Sequence, residues 1–294
     1  MDSGQKKIWL EVALNGGWGR ERQPLIPVSV REIVEEGVAC ARAGASIIHF
    51  HAYDEATGRL SDDAELYIAV IEAIREQVDA IVYPTIAFEG DDRYAFVEVL
   101  ARRGLLEWAA LDTGSVNLSH FSDIEAGRTG TIYRNEEGGM RRGLRLAADY
   151  GFHPSFACYE PGFIRLGAAL ARSMSHLPQP IYRLMFSQGL AFGFPPDRYA
   201  LQAYRQLLAS EAPGAPVMIA GLDVDLSHLM QDALAADIHW RVGLEDAPLG
   251  HGTRNPGLVE AAVTRIAGRL ATAADVRAAL KQSTRMQPEH GLLA

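Results

Sequence analysis

Short apolar runs alternate with amphipathic stretches along the whole chain, and this alternation restricts the fold more than any other feature. The runs lie at 8–14 (IWLEVAL), 45–51, 80–86, 108–114, 154–159, 181–187, 216–222 and 237–245. Several are apolar almost without a break, as strands covered on both faces must be. Helical periodicity falls between them at 28–44, 62–77, 92–104, 137–151, 160–173, 197–210 and 226–236, and again after the last run at 255–269. In the first of these, Ser29 and Glu32 have capping-box spacing and Gly44 is a stop. Strand then helix, repeated eight times, predicts an α/β fold of the (β/α)8 TIM-barrel type. Residues 1–294 are read as a single domain with a short helical tail at about 273–281. A doubly wound open sheet is the competing arrangement, but it usually needs fewer strands. No GxGxxG follows the first run. GGWG at 16–19 is read as a flexible loop.

A barrel of this kind is long enough at 294 residues, and its 48% apolar content supplies the core. The formal net charge of -9 argues against nucleic acid or an anionic membrane as the main partner, since both require a basic face. Cys40 and Cys158 are unclustered, so neither a disulfide framework nor a CxxC site is expected. No apolar run approaches the roughly 18 residues of a spanning helix. The polar MDSGQKK lacks the apolar segment of a secretory signal, so a cytoplasmic location is expected.

The second run ends in IIHFHAYD, residues 47–54. Residues two apart on a strand share a face, so His49 and His51 point one way and Phe50 the other. In a barrel the histidines point inward, at the strand end where barrel chemistry sits. Two neutral imidazoles on one buried face can be core residues, or they can share a divalent metal that satisfies both. In HWRVGLED, 239–246, alternation puts Arg241, Gly243 and Glu245 on one face, with Asp246 at the end. Those charges are either a structural pair under a loop or a working set. In a closed barrel the second and eighth strands flank the first, which brings Glu245 within reach of the histidines. Two histidines and a carboxylate suit catalytic zinc and also non-heme iron. Asp246, beside Arg241, is the candidate base. Glu11 is read as a charge low in the barrel or at an edge. In the last loop, Arg254 and His251 of GHGTRN are candidate substrate contacts, as is His120 after the fourth strand.

The chain resembles the β-keto acid cleavage enzyme family, which includes 3-keto-5-aminohexanoate cleavage enzyme. The resemblance rests on AGAS-hydrophobic-HxH within 26–61, LDTGSVNL (111–118), PSFACYEPGF (154–163), HWRVGLED (239–246) and 253–280. It implies a (β/α)8 barrel, a divalent metal, normally zinc, and exchange of a β-keto acid with acetyl-CoA to give acetoacetate and a new acyl-CoA. It implies metal ligands at His49, His51 and Glu245, and a catalytic pair at Asp246 and Arg241. Substrate-pocket roles fall on Ser115, Asn117 and Thr85, and on Trp18, which stands where the named member has a glutamate. A homo-oligomer is also implied. Tyr53 replaces a common arginine, Ser155 and Ala157 replace common glutamates, and the turn SQGLAFGF (187–194) is only partly family-like. Trp in place of Glu favours a less cationic, more apolar substrate, not an amino-bearing one. Two other functions fit the residues: a metal-dependent lyase or hydrolase, and a metal-retaining binding protein. Barrel amidohydrolases carry HxH on the first strand, with later His and Asp ligands that are missing here.

Overall fold

A computed structural model describes residues 6–286 apart from Glu89 and Asp91. Most of MDSGQKK, and His290, lie outside the described residues. Eight parallel strands form one sheet: β1 Leu10–Ala13, β2 Ile47–Phe50, β3 Ile81–Pro84, β4 Trp108–Ala110, β5 His153–Cys158, β6 Ile181–Ser187, β7 Val217–Leu222 and β8 His239–Val242. Their order is β3-β2-β1-β8-β7-β6-β5-β4. Among the described residues β3 and β4 share no ladder hydrogen bond, and Tyr83 and Trp108 close the seam with ring centroids 5.8 Å apart. The chain is therefore a nearly closed (β/α)8 barrel, as the alternation predicts.

The helices around it are α1 Val30–Ala43, α2 Ala64–Arg75, α3 Ala95–Arg102, α4 Glu137–Tyr150, α5 Pro161–Arg172, α6 Arg198–Glu211, α7 Met230–Ala235 and α8 Asn255–Ile266. The α1 cap forms as its sequence predicts. Ser29 Oγ accepts from the Glu32 N–H at 3.1 Å, and Glu32 accepts from the Ser29 N–H at 3.0 Å. Such a cap stabilises a helix by about 1 kcal/mol. The tail helix runs Ala273–Met286, longer than the sequence indicates. Sequence periodicity also misses two small hairpins, Tyr53–Asp54 with Arg59–Leu60 and Val116–Leu118 with Thr131–Tyr133, and a one-turn helix at Phe121–Glu125. These excursions after β2 and β4 stand over the mouth of the barrel.

The register of the central strands decides where the site falls. Glu11 lies opposite Arg241 on one side and Ile47 on the other, and Ala13 lies opposite His49. So β2 and β8 flank β1, as a closed barrel requires. Phe50 turns outward and is fully buried against Tyr67 of α2, with ring centroids 5.4 Å apart. Burial of one such side chain contributes about 2–3 kcal/mol, and it fixes His49 and His51 on the inner face. Among the described residues no helix is long and apolar enough to cross a membrane.

Candidate active site

The inner ends of β2 and β8 bring His49, His51 and Glu245 together, with one ligand atom of each within 4.8 Å of the others. Glu245 Oε2 stands 3.5 Å from the Nε2 of both histidines and has no hydrogen-bond partner. That spacing is long for a hydrogen bond. It equals the separation of two ligands each about 2.0–2.2 Å from one tetrahedral ion. Burial holds the His49 imidazole well below its usual range, so it is neutral and able to ligate. Burial also pushes the Glu245 carboxyl up, but the Arg241 guanidinium beside it holds it well below the usual carboxylate range. The donor set therefore fits a divalent cation.

The backbone delivers Glu245 by way of Gly243. β8 ends at Val242, and Gly243 adopts φ +140°, where a Cβ would lie 2.0 Å from the Ala13 carbonyl oxygen. Only glycine permits that approach. Gly16 packs on the other side of Glu245, since a Cβ there would meet Glu245 Cγ at 2.6 Å. GGWG is thus not a loose loop. Gly16 is fitted against a ligand, and its carbonyl accepts from Tyr53 Oη at 2.5 Å.

Arg241 ties the site to the barrel interior. It bonds Asp246 through Nε and Nη2 at 2.7–3.1 Å, Glu245 through Nη2 at 2.7 Å and Glu11 through Nη1 at 3.0 Å. Glu11 also accepts from Tyr83 Oη at 2.7 Å and has Arg183 Nη1 at 3.7 Å. Glu11 is therefore not an edge charge but the fully buried anchor of Arg241. Counted formally, Glu11, Asp112, Glu245 and Asp246 set four carboxylates against the guanidiniums of Arg183 and Arg241. One divalent cation offsets the difference, a second reason for the fit.

A cavity of about 200 Å³ opens onto the triad. Trp18, Thr85, Arg183, Arg241 and Asp112 line it, with an apolar wall that includes Ile86, Met185 and Leu222. Trp18 donates from Nε1 to the Glu245 carbonyl at 2.7 Å and so covers the ligand it is tied to. Other expectations need correction. Ser115 and Asn117 are exposed and do not line the cavity. Ser115 Oγ is engaged with the backbone of Asn135, donating to its carbonyl at 3.0 Å and accepting from its N–H at 2.8 Å. Leu118 of the same hairpin does reach the cavity. Asp246 sits behind Arg241, with Oδ2 accepting from the Gly221 N–H at 3.1 Å, and faces a second crevice between β8 and α8. His251 lines that rear crevice. Arg254 pairs with Glu36 at 3.4 Å, away from the triad, and His120 contacts Arg22 at 2.9 Å. Burial pushes the Asp246 carboxyl up, against the pull of Arg241.

Sequence reasoning missed Arg183, Asp112 and Asn15. A lone arginine inside IYRLMFS was the available signal for the first. Asp112 accepts from the Ala157 N–H at 3.1 Å and from Tyr133 Oη at 2.6 Å, bridging β5 to the mouth hairpin.

Fold and site together define a (β/α)8 barrel with a two-histidine, one-carboxylate group able to hold a cation at the carboxyl ends of its strands, where barrel enzymes carry their chemistry. Residues 7–281 match the model of the beta-keto acid cleavage enzyme family, and the chain belongs to that family. It is 29% identical over 243 residues to 3-oxoadipate:acetyl-CoA acetyltransferase of Cupriavidus necator, covering 81% of this chain and 79% of that one. It is 23% identical over 283 residues to 3-dehydrocarnitine:acetyl-CoA trimethylamine transferase of Rhizobium meliloti, covering 88% and 90%. A 3-keto-5-aminohexanoate cleavage enzyme of Fusobacterium nucleatum matches at 31% over 147 residues, about half of each chain. Among solved structures, apo ObcA superposes with a TM-score of 0.68 at 17% identity, covering 88% of this chain and 66% of that one, which speaks to the barrel fold.

Proposed function

We propose that this chain condenses a β-keto acid with acetyl-CoA, giving acetoacetate and a new acyl-CoA, with zinc held by His49, His51 and Glu245. The observation that carries the reading is the triad standing beside the Arg241–Asp246 pair at the catalytic end of a barrel of this family. When bound, the ion supplies Lewis-acid stabilisation of negative charge on the substrate oxygens. Arg241 lines the cavity and orients an oxygen of the substrate. Asp246 accepts the proton from the carbon between the carboxylate and the keto group, once Arg241 shifts from it toward the substrate. Its burial, which raises its proton affinity, suits it to that task. Hydrogen bonds of this kind often tighten only with substrate in place. Trp18 excludes water, and Thr85 offers a hydroxyl at the rim.

The apolar wall of Ile86, Met185 and Leu222, with Trp18 where the named member has a glutamate, supports a substrate without an amino group. The homo-oligomer implied by the resemblance has an exposed apolar strip to use, Phe121, Ile124 and Ile132; sedimentation equilibrium measures it. A cytoplasmic site of action completes the reading.

The test is a panel of β-keto acids assayed with acetyl-CoA for acetoacetate release by the zinc-loaded protein. Release with apolar or acidic members, and little with amino-bearing ones, is expected. One observation favours a second reading, a protein that holds metal and keto acid without turnover: Asp246 faces away from the cavity. Binding of a keto acid with no product from any member selects it.

A further inference from the structure

Two guanidiniums are buried in this barrel, and they are satisfied very unequally. Arg241 makes charged hydrogen bonds to three carboxylates at 2.7–3.1 Å. Arg183, on β6, is 3% exposed, yet it makes one long bond, Nη2 to the Ser155 carbonyl at 3.4 Å. Its nearest carboxylate, Glu11, is 3.7 Å away and already accepts from Tyr83 and Arg241. Arg183 Nε is buried with no partner. A guanidinium carries five N–H donors in a planar fork shaped for a carboxylate. Leaving such a group underbonded by the protein is costly unless something in the cavity meets it.

What else can meet it is limited by its surroundings. Arg183 lines the triad's cavity. Asp112, the other carboxylate on that side, has both oxygens committed, to the Ala157 N–H and to Tyr133 Oη. Beside Arg183 the cavity wall is Ala157, its register partner, and Ala110, and neither fills the space. Tyr83 links the two ends: its ring is 5.8 Å from the Arg183 guanidinium carbon and 4.7 Å from the His49 ring. A ligand of a few carbons therefore spans from the triad to Arg183.

We infer that Arg183 is a carboxylate seat, and that the substrate is held at two points, by the His49–His51–Glu245 site and by this guanidinium. The inference rests on the β-keto acid reading above and deepens it. The carboxylate has two sources: the one next to the keto group, or a second one at the far end of a dicarboxylic β-keto acid.

The test is calorimetric binding of acetoacetate and of 3-oxoadipate to the zinc-loaded protein, without acetyl-CoA so that nothing turns over. Wild type, Arg183→Met and Arg183→Lys are compared, with metal content and circular dichroism measured on each. Arg183→Met is expected to weaken at least one ligand about tenfold or more, the loss of a charge-assisted pair. Arg183→Lys is expected to recover part of that affinity, since it keeps the charge but not the fork. Equal loss for both ligands assigns the seat to the carboxylate beside the keto group. Loss confined to 3-oxoadipate assigns it to the distal carboxylate. A folded, metal-loaded Arg183→Met that binds both ligands within about twofold of wild type overturns the seat while leaving the β-keto acid reading standing. If Arg183→Met does not fold, the neutral Arg183→Gln takes its place, and wild-type affinity for both ligands there has the same force. Wild type that binds neither ligand overturns the β-keto acid reading itself, and the seat with it.

Discussion

Asn15 grips His51 by both backbone groups. Its Oδ1 accepts from the His51 N–H and its Nδ2 donates to the His51 carbonyl, each at 2.9 Å. The same Nδ2 donates to the Pro27 carbonyl at 2.9 Å, and Asn15 has no exposed surface. Asn255 does the matching work across the site. Its Oδ1 accepts from the Leu244 N–H at 2.8 Å, and its Nδ2 donates to the Leu14 carbonyl at 2.8 Å. Two buried amides thus fix the backbone beside two of the three candidate cation ligands without facing the cavity, the support that a ligand shell depends on.

Asn15→Ala should therefore lose metal affinity by about 10–100-fold, the usual effect of removing such support. It should also lose about 1–3 kcal/mol of stability from the orphaned backbone groups. A metal-buffered titration beside thermal melts separates the two effects, and His49→Ala gives the reference for complete loss. Asn15→Asp keeps the acceptor for the His51 N–H but turns a buried carboxylate oxygen on the Pro27 and His51 carbonyls, and should lose at least as much as Asn15→Ala. A lowered melting temperature with wild-type metal affinity would reduce Asn15 to a purely structural residue.

Asp246→Asn should keep the metal and lose turnover. The amide preserves size and can still accept from the Gly221 N–H, but it cannot hold the proton the reaction must move. Loss of a general base typically costs about 10²–10⁴ in rate. Elemental analysis and acetoacetate release are the two measurements. Acetoacetate formed at the wild-type rate would remove Asp246 from the mechanism.

Gly243→Ala tests how the fold delivers Glu245. The methyl would meet the Ala13 carbonyl oxygen at 2.0 Å, on a backbone at φ +140°. Either β8 parts from β1 or Glu245 moves. A stability loss of more than about 1 kcal/mol is expected from the strained backbone alone, together with weakened metal binding. Gly138→Ala is the comparison, because nothing lies within 4 Å of its added carbon. Equal behaviour of the two variants would show that the approach at Gly243 is not required.

What the sequence made legible were features whose partners lie on the same strand or on neighbouring strands. Period-2 alternation paired His49 with His51, and barrel closure brought Glu245 to them. Of the two sequence readings of Glu11 the edge charge fails and the charge inside the barrel holds; its partners, Tyr83, Arg183 and Arg241, lie 72 or more residues away along the chain and meet it only inside the closed barrel, so they could not be read. Asp246 follows Glu245 in sequence, yet the turn at Gly243 sends the two side chains to different cavities. Alternation already sets neighbours on opposite faces; pairing with Arg241, which lines both cavities, is what drew Asp246 into the site reading. The pocket roles of Ser115 and Asn117 came from the resemblance alone; Asn117 lies on a three-residue hairpin strand and Ser115 just before it, too short a segment for periodicity to orient.

His239 gives the fold a pH dependence remote from the cation site. It is fully buried at the start of β8, stacked on Trp9 with ring centroids 3.9 Å apart. Its Nδ1 accepts from the Trp9 N–H at 3.1 Å, and its Nε2 has no partner. Burial first, and Lys6 second, hold the imidazole well below its ordinary value of 6.5. Above that value the imidazole is neutral both folded and unfolded. Below it the unfolded chain takes up a proton that the folded chain refuses, so stability is lost as pH falls through 6.5 toward the depressed folded value. At pH 5.5 this one group accounts for roughly 1 kcal/mol. His239→Asn places an amide oxygen near the Nδ1 position and does not titrate. It should cost stability at pH 7.5 through lost stacking, yet narrow its gap to wild type by about that amount between pH 7.5 and 5.5. Urea midpoints at the two pH values measure the change, with His153, also held down by burial, unaltered in both proteins. A gap of constant width would mean that His239 is protonated to the same extent in the folded and unfolded chain.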